Sequence, residues 1–227
     1  MHGALTISLV IPCFNEELGL GALLADIPPC VDEVVVVDNN STDRTADVAR
    51  RFGARVVPEH RQGYGSAYQR GLPAASGDIV VTCDGDGTYP VDRILALVEM
   101  LVKDDLDFIS ACRFPLTRPA VMPRLNFAGN QIVTVLANLM FGLQLTDSQS
   151  GMWVFRRTVL ERIRPRFPGM AFSQEIKLLA FRHPALACRE VYVPYGDRLG
   201  QSKLRPWRHG WELIVCLVRQ RLRRASA

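Results

Sequence analysis

Apolar, β-branched segments alternate with helix-forming segments along the first half of this chain, and this pattern constrains the fold more than any other feature. Residues 6–11, 33–37 and 78–83 read TISLVI, EVVVV and DIVVTC. None shows the strict polar–apolar alternation of a strand with one solvent-facing side. Strands of this kind, separated by helices, are typical of a parallel sheet covered on both faces. The sequence therefore predicts an α/β fold with a Rossmann-like, mostly parallel sheet flanked by helices.

Helices are predicted between these strands and again in the second half. Apolar residues recur with helical spacing after Asn15, which we take as the N-cap of a helix over 16–27. Ser41 or Thr42 is the predicted N-cap of a second helix that ends near Phe52. The later elements can extend the same sheet. The other predicted helices are 65–75, 92–102, 132–143 and 173–181, and the other predicted strands are 54–57, 107–111, 154–156 and 189–193.

Length and composition indicate one globular domain. The 227 residues are 48% hydrophobic and 22% charged, which is ordinary for a folded protein with an ample core. The six cysteines are scattered without a CxxC pair, which argues against a zinc site or a disulfide framework and favours a reducing, cytoplasmic location. The N-terminus lacks a secretory pattern. The longest apolar stretch, 132–145, is too short to cross a bilayer.

The net charge of +4 is mild but unevenly placed, and we expect no nucleic-acid partner. Arg219, Arg221, Arg223 and Arg224 follow the apolar segment 211–218. A basic segment beside apolar residues can bind an anionic membrane surface peripherally. A solvated C-terminus explains the same charges equally well, so both interpretations stay open.

Three polar loops follow predicted strands at one edge of the sheet. They are residues 12–17 (PCFNEE), 38–43 (DNNSTD) and 84–90 (DGDGTYP). In an open parallel sheet, ligands bind outside the carboxyl ends of the strands. Each loop alone is weak evidence, but their common edge predicts one binding site.

The pair Asp84 and Asp86 carries the clearest chemistry of this edge. Two carboxylates one residue apart on a turn can hold one Mg²⁺ or Mn²⁺ ion, which keeps open positions for phosphate oxygens. Gly85 and Gly87 allow the backbone to bend close to a ligand. A plain acidic turn is the alternative, because Asp and Gly are common in turns. The two neighbouring loops favour the metal site.

The other loops carry groups that suit a nucleoside or a phosphate. Asp38, Asn39 and Glu16 can form hydrogen bonds with ribose hydroxyls or a base edge. A helix-capping turn explains the first two equally well, and a glutamate in a first helical turn is common. Gly63 opens the segment 63–67 (GYGSA), which suits a tight loop whose backbone N–H groups meet a phosphate or a ribose.

Taken together, these segments resemble the family 2 glycosyltransferases of the GT-A fold, in particular the polyprenyl-phosphate branch that contains the dolichol-phosphate mannose synthases. The resemblance spans roughly residues 5–205 and is specific for the family as an ordered set. Its motifs are PCFNEE (12–17), VVDNNSTD (36–43), GYGSAYQRG (63–71), SGDIVVTCDGDGTYP (76–90), DSQSGMWVFR (147–156) and GQSKL (200–204).

The resemblance implies a single domain over residues 1–227. A nucleotide-sugar-binding half would span 5–112, an acceptor half 113–205 and an amphipathic basic segment 206–227. Thr88 stands where mannose synthases often carry a glutamine metal ligand, so the metal and the donor sugar stay open.

Particular residues acquire roles from this resemblance. Asp84 and Asp86 would hold the metal and act in catalysis with Arg113, and Arg113 and Arg124 would bind the acceptor phosphate. Solvated surface arginines are the alternative for this last pair. The implied nucleotide-sugar site comprises Pro12, Phe14, Asn15, Glu16, Asp38, Asn39, Gly63, Asp84, Gly85, Arg198, Ser202 and Lys203.

The implied reaction is a single inverting displacement. A polyprenyl-phosphate oxygen, from a dolichyl or undecaprenyl lipid, attacks the sugar of GDP-mannose or a UDP-sugar while the nucleoside diphosphate leaves with the metal. An ionised phosphate needs no general base, and arginine forks match its oxygens. The apolar stripe of helix 132–143 can face the protein core or the lipid interface.

Two other functions stay open. A transferase of the same fold with a soluble hydroxyl acceptor needs a base, for which Asp147 and Glu175 are the available carboxylates. A non-catalytic nucleotide-sugar-binding subunit is disfavoured by the retained carboxylates. A nucleotidyltransferase would need a basic, glycine-rich loop where PCFNEE is acidic, and a dehydrogenase would need GxGxxG after the first strand.

Overall fold

One seven-stranded sheet forms the centre of the computed structural model, which describes residues 5–225 and the side chains of residues 5–222. The strands are β1 (Ile7–Cys13), β2 (Glu33–Asp38), β3 (Arg55–Pro58), β4 (Ile79–Thr82), β5 (Phe108–Cys112), β6 (Trp153–Arg156) and β7 (Cys188–Tyr192). Their order is β3-β2-β1-β4-β6-β5-β7. Every neighbouring pair is parallel except the two pairs that β6 makes. The predicted α/β fold with a mostly parallel sheet is confirmed.

Helices cover both faces of the sheet. They are α1 (Glu17–Ala25), α2 (Thr45–Arg51), α3 (Tyr64–Gly71), α4 (Ile94–Lys103), α5 (Arg124–Phe141), α6 (Val159–Arg162), α7 (Phe172–Phe181) and α8 (Pro206–Ala225). The helices α1, α2 and α4 pack on one face, in a core that includes Leu20 and Ile94. On the other face α3, α6 and α7 pack around Tyr68 and Phe172. The result is the three-layer arrangement of an α/β domain.

The central strands are buried on both sides, which explains their apolar composition. In β1, Leu9 and Ile11 enter one core, whereas Val10 between them enters the other. Successive side chains of a strand point to opposite faces of a sheet. A strand with a core on each side therefore needs apolar residues at consecutive positions.

The helices α5 and α8 form an outer pair that packs on α7. Val133 of α5 and Leu217 of α8 meet Leu178 of α7 in a separate small core. The helix α5 begins at Arg124, well before the predicted start at residue 132. The sequence prediction missed its first part because the segment RLNFAGNQ interrupts the apolar pattern. It stops at Gly142, which has a left-handed φ of 68°. No helix within residues 5–225 has the length and apolar content that crossing a bilayer requires.

One carboxylate caps two helices beside the sheet edge. Asp43 Oδ2 accepts the Glu17 N–H at 3.2 Å, and Asp43 Oδ1 accepts the Thr45 N–H at 2.9 Å. These N–H groups lie at the starts of α1 and α2, where helices lack internal acceptors. The loops after β1 and β2 are therefore fastened to each other.

The predicted N-caps of α1 and α2 are wrong for the same reason. Asn15 has a φ of 53° and lies outside α1, which begins at Glu17. Its N–H donates to Ser41 Oγ at 3.0 Å, and its side-chain oxygen accepts the Thr42 N–H at 2.7 Å. These three residues join the two loops instead of capping helices of their own.

We predict that Asp43→Ala lowers the free energy of unfolding by about 1–2 kcal/mol, because two helix N-termini lose their cap at once. For a chain of this size the midpoint temperature should fall by roughly 2–8 °C. Asp47→Ala is the matched control, since Asp47 is exposed and its ion pair with Arg50 contributes little. Equal midpoints for the two variants in thermal denaturation would contradict the shared cap.

Candidate active site

Asp84 and Asp86 lie where β4 ends, at the carboxyl edge of the parallel strands. The Tyr64 hydroxyl donates a hydrogen bond to Asp84 Oδ1 at 2.9 Å. Asp86 Oδ1 accepts the N–H and the hydroxyl of Thr88 at 3.1 and 2.7 Å. Thr88 therefore fixes the rotamer of Asp86 from within the same turn.

Glycines let the surrounding backbone approach this pair of carboxylates closely. A Cβ at Gly85 would lie 2.6 Å from Cys13 Sγ, and a Cβ at Gly151 would lie 2.9 Å from Asp84 Oδ1. Gly87 has a left-handed φ of 77°, which residues with a side chain rarely adopt. Larger residues at these positions would displace the turn.

Charge repulsion and burial act together on the two aspartates. Burial, reinforced by the negative charge of Asp86, raises the pKa of Asp84 to about 7, although the Tyr64 hydrogen bond and nearby arginines lower it. Folding therefore works against ionising this carboxyl group. A strongly perturbed carboxylate at a sheet edge is typical of a functional site, because a bound cation would relieve the repulsion.

A segment that we name the basic strap, residues 196–203, crosses this turn. The N–H of Gly196 donates to the Thr88 carbonyl, and the N–H of Leu199 donates to the Asp86 carbonyl, each at 2.9 Å. These backbone hydrogen bonds tie the strap to the turn independently of its charged side chains.

Two cations of the basic strap pair with acidic side chains of the site. Arg198 Nη1 lies 2.6 Å from Asp86 Oδ2, and Arg198 Nη2 lies 2.6 Å from Glu16 Oε1. Lys203 Nζ lies 2.7 Å from the same Glu16 oxygen and donates to the Asn15 carbonyl at 2.6 Å. Residues predicted from three separate motifs thus form one cluster.

A cavity of about 410 Å³ lies between the loop after β1 and the basic strap. Five residues predicted to bind the nucleotide-sugar line it, namely Phe14, Asn15, Glu16, Ser202 and Lys203. Asp84 and Asp86 are not among the residues that line it. Glu16 joins the two regions, since it lines the cavity and also contacts Arg198.

Other residues predicted to bind the nucleotide-sugar support the wall of the site. Pro12 is buried within β1. The Asn39 side chain accepts the Gly63 N–H at 2.7 Å and donates to the carbonyls of Glu59 and Arg61. Its amide is therefore fully engaged in holding the loop 59–63. Asp38 is half-buried, and one of its oxygens accepts a backbone N–H of its own loop at 3.1 Å.

The segment that begins at Gly63 has a packing role at its backbone. The N–H groups of Gly65 and Ser66 donate to the carbonyls of Gly169 and Pro168 at 3.2 and 2.9 Å. A Cβ at Gly63 would lie 2.4 Å from the Pro168 oxygen. Protein carbonyls already accept these two N–H groups, which leaves neither of them for a phosphate or a ribose, and ligand binding by the rest of the segment stays a prediction.

Arg113 extends from the end of β5 into a buried ion pair. Its Nε and Nη2 lie 2.7 and 2.9 Å from the two carboxylate oxygens of Asp147, and its guanidinium lies 5.3 Å from the centre of the Tyr195 ring. Asn130 donates a further hydrogen bond to Asp147 at 3.1 Å. The fully buried Lys177 donates to the Asp147 carbonyl at 2.7 Å, so the guanidinium is rigidly held.

The two carboxylates considered as a general base are both occupied. Burial opposes ionisation of Asp147, but the charge and hydrogen bonds of Arg113 hold the pKa of this carboxyl well below its usual range. Glu175 accepts the N–H groups of Arg166 and Phe167 and the side-chain amide of Gln220, each at 2.6 Å. Neither carboxylate is placed to take a proton from a hydroxyl acceptor.

Arg124 is separate from this network. It is the first residue of α5 and is exposed. Within residues 5–222, no hydrogen bond or ion pair joins its side chain to Arg113 or to the aspartate pair.

Comparison with known proteins decides the family. The sequence model of Glycosyl transferase family 2 matches residues 8–164. A dolichyl-phosphate hexose transferase of Haloferax volcanii is 38% identical over 94% of this chain and 92% of its own length. The chain is a family 2 glycosyltransferase.

Solved structures share the fold of this glycosyltransferase. Glucosyl-3-phosphoglycerate synthase of Mycobacterium tuberculosis, in complex with Mn²⁺, UDP and glucosyl-3-phosphoglycerate, has a TM-score of 0.74 and 27% identity over 96% of this chain and 80% of its own.

A second relative by sequence is a low-salt glycan biosynthesis hexosyltransferase of Haloferax volcanii. It is 31% identical over 92% of this chain, which spans 52% of that longer protein. The predicted family and GT-A fold are confirmed.

The structure of the glycosyltransferase adds residues that sequence reasoning missed. Tyr64 donates to Asp84, and the Tyr89 hydroxyl accepts the Gly151 N–H at 2.7 Å. Tyr195 lies against the Arg113 guanidinium. Tyr64, Tyr89 and Gly151 lie inside recognised motifs, but nothing in the sequence indicates that they meet.

We predict that Asp84→Asn stabilises the metal-free glycosyltransferase at alkaline pH. The folded-state pKa of Asp84 is raised to about 7, against roughly 3.9 in an unfolded chain. The favourable contribution of its protonated form is therefore complete below pH ~4 and lost as the pH rises through about 7. Asparagine keeps an acceptor for Tyr64 without the charge.

The measurement is thermal denaturation between pH 5 and 8 in the presence of a chelator. The midpoint of Asp84→Asn minus that of the wild type should grow with pH and level off above about 7. Asp47→Asn, at an exposed position, serves as the control. A difference that stays constant over this range would contradict the prediction.

Proposed function

We propose that this enzyme transfers a hexose from a nucleotide-sugar to a polyprenyl phosphate, with Mg²⁺ or Mn²⁺ held by Asp84 and Asp86. The observation that carries the proposal is the meeting of this carboxylate pair with Glu16, Arg198 and Lys203 at one sheet edge. Such a cluster supplies both signs of charge that a metal–diphosphate needs. The relative named as a dolichyl-phosphate hexose transferase supports the acceptor class.

The residues at the sheet edge suit a hard divalent cation. Carboxylate oxygens are the preferred protein ligands of Mg²⁺ and Mn²⁺, and Asp84 Oδ1 is the oxygen held by Tyr64. No group of three or more His, Cys, Asp or Glu side chains fit to hold a metal occurs among the described residues. Donor phosphate oxygens would complete the coordination. When bound, the metal would neutralise the departing diphosphate as a Lewis acid.

The donor would lie along the loop after β1 and under the basic strap. Phe14 and Glu16 line the cavity, and Asp38 follows the next strand, as expected for residues that bind a nucleoside. Arg198 and Lys203 would turn to the diphosphate, because guanidinium and ammonium groups form charge-assisted hydrogen bonds with phosphate oxygens. Asn39 and Gly63 would act by positioning the loop 59–63.

The acceptor side favours an ionised phosphate over a hydroxyl. Arg113 is held by Asp147 through Nε and Nη2, which orients the remaining edge of its guanidinium. A phosphate oxygen is already a nucleophile, so the proposal requires no base, and Asp147 and Glu175 are both occupied. Arg124 would contribute only by approaching the acceptor from the start of α5.

A second candidate is transfer to a soluble acceptor. The complexes of glucosyl-3-phosphoglycerate synthase with phosphoglyceric acid support it, because that enzyme shares the fold at 27% identity. The occupied carboxylates weigh against it. The phase in which the product appears distinguishes the two functions.

We further propose that the enzyme attaches to the cytoplasmic face of an anionic membrane through α5 and α8. Trp207 and Trp211 are 85% and 69% exposed on α8, and Leu139 of α5 is 77% exposed. Arg219 and Arg221 are exposed on the same helix; the side chains of Arg223 and Arg224 lie outside the described residues. Exposed tryptophans with arginines beside them suit a lipid interface.

For the activity, we expect a lipid-linked sugar when the enzyme is given undecaprenyl or dolichyl phosphate, GDP- or UDP-hexoses and Mn²⁺ or Mg²⁺. EDTA or Asp86→Asn should lower the organic-phase product by roughly 100-fold or more. Asp92→Asn, at an exposed acidic residue outside the site, should leave it unchanged. Full turnover in EDTA would refute the metal site, and product confined to the aqueous phase with a soluble acceptor would select the second candidate.

For the membrane, we expect the double variant Trp207→Ser/Trp211→Ser to bind vesicles about ten-fold more weakly, because two apolar side chains leave the interface. Co-sedimentation with phosphatidylcholine vesicles, with and without phosphatidylglycerol, measures this. The control is Phe52→Ser/Leu95→Ser, which removes exposed apolar residues near α2 and on α4, on the other side of the sheet. Equal binding by the two double variants would discard the proposed surface.

A further inference from the structure

Arg198 is bonded to a carboxylate oxygen of Asp86, a residue that the proposed metal would need as a ligand. Its Nη1 lies 2.6 Å from Asp86 Oδ2, and the other oxygen of this carboxylate accepts two hydrogen bonds from Thr88. Both oxygens of Asp86 are therefore engaged. We propose that Arg198 acts as an internal cation on Asp86, so that a divalent metal and a nucleoside diphosphate bind cooperatively. This inference rests on the proposed function.

The bond from Arg198 is the one that a metal would displace. Thr88 holds Asp86 from two positions away in the same turn, whereas Arg198 reaches it across 112 positions of sequence from a partly exposed strap. The strap keeps its place without this side chain, because Gly196 and Leu199 are bonded to the turn through their N–H groups. Arg198 can therefore leave Asp86 while the backbone around it stays.

The contacts of Arg198 are incomplete in a way that points to a ligand. Arg198 Nε and Glu16 Oε2 are buried, and neither has a hydrogen-bond partner. A buried donor and a buried acceptor left unsatisfied raise the free energy of this arrangement. A diphosphate oxygen would accept from Arg198 Nε, and a ribose hydroxyl would donate to Glu16 Oε2.

The charges of the cluster explain why the two ligands should assist each other. Arg198 and Lys203 face Glu16 and Asp86, and Asp84 in the same turn adds a third negative charge whenever it is ionised. A divalent ion alone must enter beside Arg198 and displace it without offering it a new partner. A diphosphate alone must approach three carboxylates. When both are bound, the metal would offset the charge of the aspartates, and the diphosphate would accept hydrogen bonds from both strap cations. Each ligand would therefore lower the free-energy cost of binding the other.

The test is a titration of the metal-free protein with Mn²⁺, in which the electron paramagnetic resonance signal of free Mn²⁺ reports binding. Each titration is done without nucleotide and with saturating UDP or GDP. For the wild type, nucleotide should tighten Mn²⁺ binding by roughly ten-fold or more, within the usual range of coupling between sites. Removing the internal cation in Arg198→Ala should tighten Mn²⁺ binding without nucleotide by a similar factor.

Two further variants distinguish the specific contact of Arg198 with Asp86 from a general effect of positive charge. Arg198→Lys keeps the charge but cannot bridge Asp86 and Glu16 with a fork, so its Mn²⁺ affinity without nucleotide should fall between those of the wild type and Arg198→Ala. Arg118→Ala removes an equal charge from an exposed ion pair with Asp197, the residue before Arg198. Its Mn²⁺ affinity should match that of the wild type. Unchanged far-ultraviolet circular dichroism would show that each variant is folded.

The outcomes distinguish this inference from the proposed function. If the wild type binds Mn²⁺ with nucleotide but Arg198→Ala gains no affinity in its absence, the internal cation is refuted and the metal site stands. If Arg118→Ala raises the Mn²⁺ affinity as much as Arg198→Ala does, the effect comes from a general change in charge, and the inference is also refuted. If the wild type binds no Mn²⁺ with either nucleotide, the metal site of the proposed function fails and this inference fails with it.

Discussion

Repulsion between two carboxylates in one turn is the interaction on which the rest of the site depends. Asp84 and Asp86 are separated by a single glycine, and like charges at such distances in a poorly solvated site repel strongly. Around them the fold gathers groups that offset this repulsion: the Tyr64 hydroxyl, the Thr88 hydroxyl and the Arg198 guanidinium. The compensation is incomplete, and a partly uncompensated pair retains affinity for an added cation.

The sheet places this pair where a ligand can reach it. The strand β4 lies between β1 and the antiparallel β6. Its carboxyl end is therefore flanked by the loop after β1 on one side and by the segment that leads into β6 on the other. That chain contributes Gly151, whose missing side chain leaves room for Asp84 and Tyr64. The basic strap then crosses the opening. The acidic groups at this edge therefore follow parallel strands, and the cations that cover them come from the basic strap, just before α8.

The proposed acceptor side uses a different arrangement of charge. Arg113 and Asp147 form a buried ion pair, which is unfavourable unless each partner makes several hydrogen bonds. Asn130 and the backbone of Arg113 supply such bonds to Asp147, and Lys177 bonds its carbonyl. The Arg113 guanidinium is held at the end of β5, whereas Arg198 and Lys203 extend from the strap. In the proposed function, a rigid cation suits the acceptor phosphate, and the strap cations suit a diphosphate that must leave.

The sequence by itself determined the strands, the sheet edge and the acidic turn, because burial on two faces requires consecutive apolar residues and polar loops must follow where such strands end. Tertiary structure decided which polar groups stay available. Asn39 and Gly63 lie where the motifs predicted, yet the Asn39 side chain is bonded to the loop 59–63, including the Gly63 N–H, and the next N–H groups, those of Gly65 and Ser66, donate to the carbonyls of Gly169 and Pro168. The caps of α1 and α2 come from one shared aspartate. These roles depend on hydrogen bonds between segments that are far apart in the sequence. A local sequence pattern does not indicate which distant segments meet in space.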